Sequence, residues 1–112
     1  MRVLLVKPKP RLGPIVALHR FQFLEPIELG YLAASVPRGH DVRVLDLRRA
    51  RVPLATFRST LRSDRPDIVG ITGYTHEASI VKSLAREAHG SLPAARVIVG
   101  GHHATVAPRD YD

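Results

Sequence analysis

A chain of 112 residues with 45% apolar content is one domain's worth of sequence, long enough to bury a core. It contains no cysteine, which excludes disulfides, thiolate zinc sites, cysteine nucleophiles and an iron–sulfur cluster held by the chain's own residues. The formal charge of +7 raises nucleic acid as a partner, but the basic residues are scattered and aromatics make up only 5% of the chain. A solvated or domain-covered basic face is therefore expected, rather than a surface that stacks on bases.

The first predicted element is a short apolar strand, Arg2 to Val6, ended by Pro8 and Pro10, which cannot donate to a sheet ladder. Its apolar run is too short for a leader peptide, and no stretch approaches the roughly 20 residues that span a bilayer, so the chain reads as cytosolic. A long loop follows to Glu25, carrying Lys7, Lys9, Arg11, Gly13, Pro14, His19, Phe21 and Phe23, and loops of that length usually have a function. Pro26 suits the first turn of a helix with Glu25 and Glu28 at its positive end, and Ile27, Tyr31, Leu32 and Ala34 form its expected inward stripe. Pro37 and Gly39 end it.

Val42 to Leu45 is a second strand, and Pro53 opens a second helix whose buried stripe is expected at Leu54, Phe57 and Leu61. Asp67 to Ile71 is a third strand, Thr72 to Thr75 its carboxyl-end loop, and Thr75 the expected cap of a helix to about Gly90, with Val81, Leu84, Ala85 and Ala88 inward. Val97 to Val99 is the fourth strand. Its consecutive β-branched residues fit a strand covered on both faces, and it feeds a ligand-facing loop from Gly100 to Pro108. The two glycines there allow a close backbone approach, so Gly101→Val is expected to impair ligand binding far more than folding.

Strand and helix alternate from end to end, without repeats or low-complexity linkers, which selects an α/β doubly wound parallel sheet of flavodoxin-like, Rossmann-like type. With strand order 2-1-3-4-5, the loops after strands one, three and four converge on one crevice at the carboxyl edge. The chain stops before a fifth strand, so residues 1–112 are expected to form a single domain lacking its last strand and helix, with strand four exposing an edge open to self-association.

The segments EPIELGYLAA (25–34), GHDVRVLD (39–46), RPDIVGIT (65–72) and VIVGGHHAT (97–105) together resemble the amino-terminal cobalamin-binding domain of B12-dependent radical SAM enzymes. The resemblance covers nearly the whole chain; the family's glycine-glycine-proline-histidine loop appears as Gly100-Gly101-His102-His103, with His102 in place of proline. It implies a cobalamin-binding module that positions the corrin for a methyltransferase or cyclase. The radical SAM barrel, with its S-adenosylmethionine and 4Fe-4S cluster, would lie elsewhere, in cis or in trans. Position by position, it implies Thr72, Gly73, Tyr74 and Thr75 beside the corrin and Gly100, Gly101, His103 and Thr105 along the cofactor's tail, with no catalytic residue and no protein metal ligand in this chain.

Of the six histidines, His40, His76 and His89 read as surface residues, and adjacent His102 and His103 point different ways. His19 lies where methionine-synthase-like B12 domains place a cobalt-binding histidine in an Asp-x-His-x-x-Gly signature, but here the flanking residues are Ala17 and Gln22. The alternative is a flavin- or nucleotide-binding module of the same fold. It would use the same crevice, but the first loop lacks the short glycine-rich turn that phosphate sites favour. A receiver-like domain would need an aspartate after Ile71, where Thr72 stands, and the serines show no nucleophile elbow for a hydrolase.

Overall fold

The computed structural model describes residues 1–11 and 25–112; the expected features of the first loop between them, His19, Phe21 and Phe23 included, lie outside the described residues. In chain order the elements are β1 (Arg2–Lys7), α1 (Ile27–Ser35), β2 (Asp41–Asp46), a 3-10 turn (Leu47–Arg49), α2 (Pro53–Asp64) and β3 (Ile68–Thr72). A second 3-10 turn (Thr75–Glu77), α3 (Ala78–Ser91), β4 (Arg96–Gly100), α4 (His102–Val106) and a last 3-10 turn (Pro108–Tyr111) complete them. The four strands are all parallel in the order β2-β1-β3-β4, the flavodoxin-like order expected of the sequence.

Local chemistry sets the boundaries. Lys7 extends β1 by one residue before Pro8 stops it. Pro53 occupies the first turn of α2, which ends where Arg65 turns left-handed (φ 44°) and donates its N–H to Leu61 O at 3.1 Å, with Pro66 barring continuation.

Alternation along the strands then divides the core. Leu4 and Val6 of β1 and Val69 and Ile71 of β3 join Leu47, Phe57, Leu61, Val81, Leu84 and Ala88 in one cluster under α2 and α3. Each large buried member contributes about 1.5–3 kcal/mol through loss of exposed apolar surface. Leu5 and Leu29 are buried apart from that cluster, where α1 packs on β1 and β2, and Gly70 leaves room for Leu5.

Three expectations about packing need correction. On α1, Ile27, Tyr31 and Leu32 are exposed and only Leu29 is buried, because the helix leans on two strands along one narrow line. On α2, Leu54 is exposed and Thr60 takes the inward place beside Phe57 and Leu61. Strand β4 is not covered on both faces: Val97 and Val99 pack on the core, whereas Ile98 is 54% exposed, since α1 does not reach the end of the sheet.

Much of the positive charge is locally matched. Arg43 pairs with Asp64, Arg48 with Asp46, Arg49 with Glu25 and Arg58 with Glu87. No described helix is long and apolar enough to cross a membrane.

Candidate functional site

The sheet's carboxyl edge is where the strand-ending residues meet. Register places Thr72 opposite Gly100 at the ends of β3 and β4. Directly beyond, Gly101 adopts φ +94° and ψ −171°, a conformation open essentially to glycine, and a Cβ there would lie 2.6 Å from Thr72 Oγ1 and 3.0 Å from Gly73 N. Gly73 is equally hemmed in, since a Cβ would come 2.5 Å from Val81 Cγ2. These two glycines hold the β3 and β4 ends together. Gly101→Val is therefore predicted to damage the fold itself, contrary to the sequence-based expectation. Gly100 is different: a Cβ on it would touch nothing within 4 Å among the described residues, which leave space open over its backbone.

Beyond Gly101 the chain forms a short helix within the stretch from Gly100 to Pro108 expected to be a loop. Helix α4 turns His102 outward and His103 inward, where it is 5% exposed. The backbone N–H of His103 donates to Gly73 O at 3.3 Å. Its ring Nδ1 lies 3.1 Å from Thr75 Oγ1, its Nε2 lies 3.0 Å from Asp110 Oδ2, and Tyr111 meets it edge-on at 5.5 Å. Burial raises the Tyr111 phenol's pKa, aided by the nearby Asp110 and Glu77 charges, and its hydroxyl has no hydrogen-bond partner among the described residues. Thr105 sits one turn on, exposed, its hydroxyl donating to Gly101 O at 2.9 Å.

Thr75 does not cap α3. The chain enters through a 3-10 turn in which Tyr74 N donates to the buried Glu77 carboxylate at 3.1 Å while Glu77 N donates to Tyr74 O at 2.9 Å, leaving the Thr75 side chain to His103. Tyr74 is thrown outward, 51% exposed, stacked on His76 (6.1 Å between ring centres) and tilted towards His102 (6.3 Å). Lys7 approaches its ring at 4.9 Å and pairs with Glu28 at 3.2 Å, so the cation expected in a surface loop is in fact nearly buried at the end of β1. At the end of β2, burial tends to raise the Asp46 pKa, but hydrogen bonds from the Arg48 side chain and backbone outweigh it and hold the group below the ordinary range.

The structure thus brings Thr72, Gly73, Thr75, Gly100, Gly101 and His103 into one contiguous edge, with Tyr74 beside it and Thr105 at its margin. Sequence reasoning missed Lys7, Glu77 and Asp110. A glutamate three residues after Tyr74 was a legible turn signal; nothing local announced that Asp110 would reach back to His103. Two open depressions of about 410 and 560 Å³ lie elsewhere, one at the amino ends of the strands and one along α3. Their linings, such as Arg2, Asp41 and Asp67 or Arg86 and Glu87, lack the apolar walls of a cofactor pocket.

Comparison with known proteins bears on this edge. The model of the B12 binding domain matches residues 13–112. The uncharacterized methyltransferase PH0819 of Pyrococcus horikoshii is 31% identical over 83 residues, which cover 74% of this chain and 18% of that protein. The chain therefore aligns with less than a fifth of that curated relative's length.

Proposed function

Since this chain belongs to the B12-binding domain family, we propose that it holds cobalamin at the carboxyl edge just described and serves as the cofactor-positioning part of a B12-dependent radical SAM enzyme. In this reading Thr72, Gly73, Tyr74 and Thr75 lie beside the corrin, and Gly100, Gly101, His103 and Thr105 serve the nucleotide tail. The observation that carries it is the joined β3–β4 edge, with its open space over Gly100 and its exposed Tyr74 ring, inside a chain matched by the family over residues 13–112.

The residues present suit a corrin. Among the described residues no group of three or more His, Cys, Asp or Glu could hold a bare metal ion. A corrin brings its own four equatorial nitrogens and requires no such cluster. It needs polar partners at its rim, which Thr75 offers, while its nucleotide tail needs a close approach to backbone, which Gly100 permits. When bound, cobalamin supplies a methyl group carried on cobalt. This chain's part is to orient the macrocycle. The flavin- or nucleotide-binding alternative uses the same edge and gains no support from the family match.

The likeness to a protein called a methyltransferase supports methyl transfer as the reaction of a whole protein containing this module. The finer proposal is a radical SAM barrel as the partner, in cis or in trans, holding S-adenosylmethionine and a 4Fe-4S cluster that this cysteine-free chain has no means to bind. The test is the coding sequence around this module, together with anaerobic purification of its product. A Cys-x-x-x-Cys-x-x-Cys motif with cluster-dependent cleavage of S-adenosylmethionine is expected. A catalytic partner without cysteines or iron would leave the cobalamin assignment standing and remove the radical chemistry.

A further inference from the structure

His103 joins three separated parts of the edge, and elementary chemistry fixes the direction of its hydrogen bond to Asp110. The Asp110 carboxylate only accepts, so Nε2, 3.0 Å away, carries the proton and donates. When the ring is neutral, Nδ1 is bare and the 3.1 Å contact is Thr75 Oγ1–H donating to it. His103 is the one hydrogen-bond partner of Thr75 Oγ1 among the described residues, and Thr75 is otherwise exposed. Its proton is committed inward, and the hydroxyl turns only lone pairs to its surroundings.

We propose that Thr75 is a specificity-determining acceptor that selects N–H donors, and that on a corrin it selects primary amide side chains over carboxylates. The inference rests on the cobalamin reading and deepens it. An acetamide or propionamide arm donates to the presented lone pairs, whereas a carboxylate arm at the same place meets lone pair against lone pair. His103 and Asp110 are positioning residues. In this role they act by fixing which way the Thr75 proton points.

Two measurements test it on the full chain. In the ligand-free protein, long-range ¹H–¹⁵N spectra should show His103 protonated on Nε2 with an unprotonated Nδ1, and the opposite tautomer would overturn the premise. Titrations then compare dicyanocobinamide, which carries amide arms, with dicyanocobyrinic acid, which carries carboxylates. Thr75→Val should weaken the amide corrin about ten-fold and should not weaken the carboxylate corrin, which is relieved of the lone-pair repulsion, with Thr75→Ser restoring the wild-type preference. Asp110→Ala, at an exposed position, should reduce the preference about three-fold by freeing the tautomer. Equal weakening of both corrins, or of neither, would overturn the inference while the cobalamin reading stands. Failure of the wild-type chain to bind either corrin would overturn both.

Discussion

Gly101 is locked against Thr72: its backbone stands at φ +94°, and any Cβ would come within 2.6 Å of Thr72 Oγ1. Its neighbour Gly100 faces open space among the described residues. The pair separates folding from ligand approach. Gly101→Ala should cost about 2–3 kcal/mol, from a left-handed backbone and a backbone-side clash. Gly100→Ala should stay within about 0.5 kcal/mol of the wild type and instead weaken cobalamin binding. Thermal melts and titrations of the two variants check this; equal stability losses would contradict the assignment of separate roles.

Tyr111 buries a hydroxyl without a partner among the described residues, and burial raises its pKa. Leaving such a group unsatisfied costs about 1–3 kcal/mol, so Tyr111→Phe should match or exceed wild-type stability while keeping the edge contact to His103. Urea unfolding gives the answer. A loss above about 1 kcal/mol would show that the hydroxyl has a partner beyond the described residues.

The stability of the fold should weaken in acid. Asp46 is held low by its Arg48 hydrogen bonds against the pull of burial, Glu87 by Arg58, and Asp64 by Ser63 and then Arg43. A carboxylate with a depressed folded pKa stabilises fully above its unfolded value, about 4 for Asp and Glu, and that contribution disappears as pH falls through the folded value. Melting temperature should thus be level from pH 7 to about 5 and drop below about 4. Asp46→Asn, removing the least exposed of the three, should flatten part of that fall. A melting temperature unchanged down to pH 3 would be the contrary result.

Strand β4 pairs on one side only among the described residues, and Ile98 beside that edge is 54% exposed. Concentration-dependent association is expected in sedimentation, and Ile98→Lys should suppress it. A strictly monomeric wild type at high concentration would mean the edge and face are protected.

Much of this molecule was legible before its structure. Four short, mostly apolar runs bounded by proline, glycine or aspartate marked four strands to within a residue or two, and Val81, Leu84 and Ala88 marked the inward face of α3 because its other face is polar. Helix α1 resisted the same reading. Apart from Glu28, IELGYLAAS has no charged residue to mark a solvent face, so spacing could not say that Leu29 alone would be covered. The exposure of Ile98 depends on how far α1 reaches over the sheet, which is a tertiary fact. Of the candidate site, the glycine pair and Thr72 to Thr75 stood out as strand ends. The division of labour between Gly100 and Gly101, and the reach of Asp110 to His103, arise only when α4 folds back against β3.

The central claim is that this edge binds cobalamin, and the most direct measurement is a titration of Co(II) cobalamin and of FMN with this chain, followed by absorption and electron paramagnetic resonance. Saturable binding of cobalamin is predicted, lost with Gly100→Val in a chain that still folds, and no binding of FMN. With the cofactor's benzimidazole tail drawn off the metal, and with Ala17 and Gln22 in place of the aspartate and glycine that would accompany a cobalt-binding His19, the resonance should show no nitrogen splitting. Nitrogen splitting removed by His19→Ala would contradict that axial assignment alone, whereas binding of FMN with none of cobalamin would contradict the claim itself.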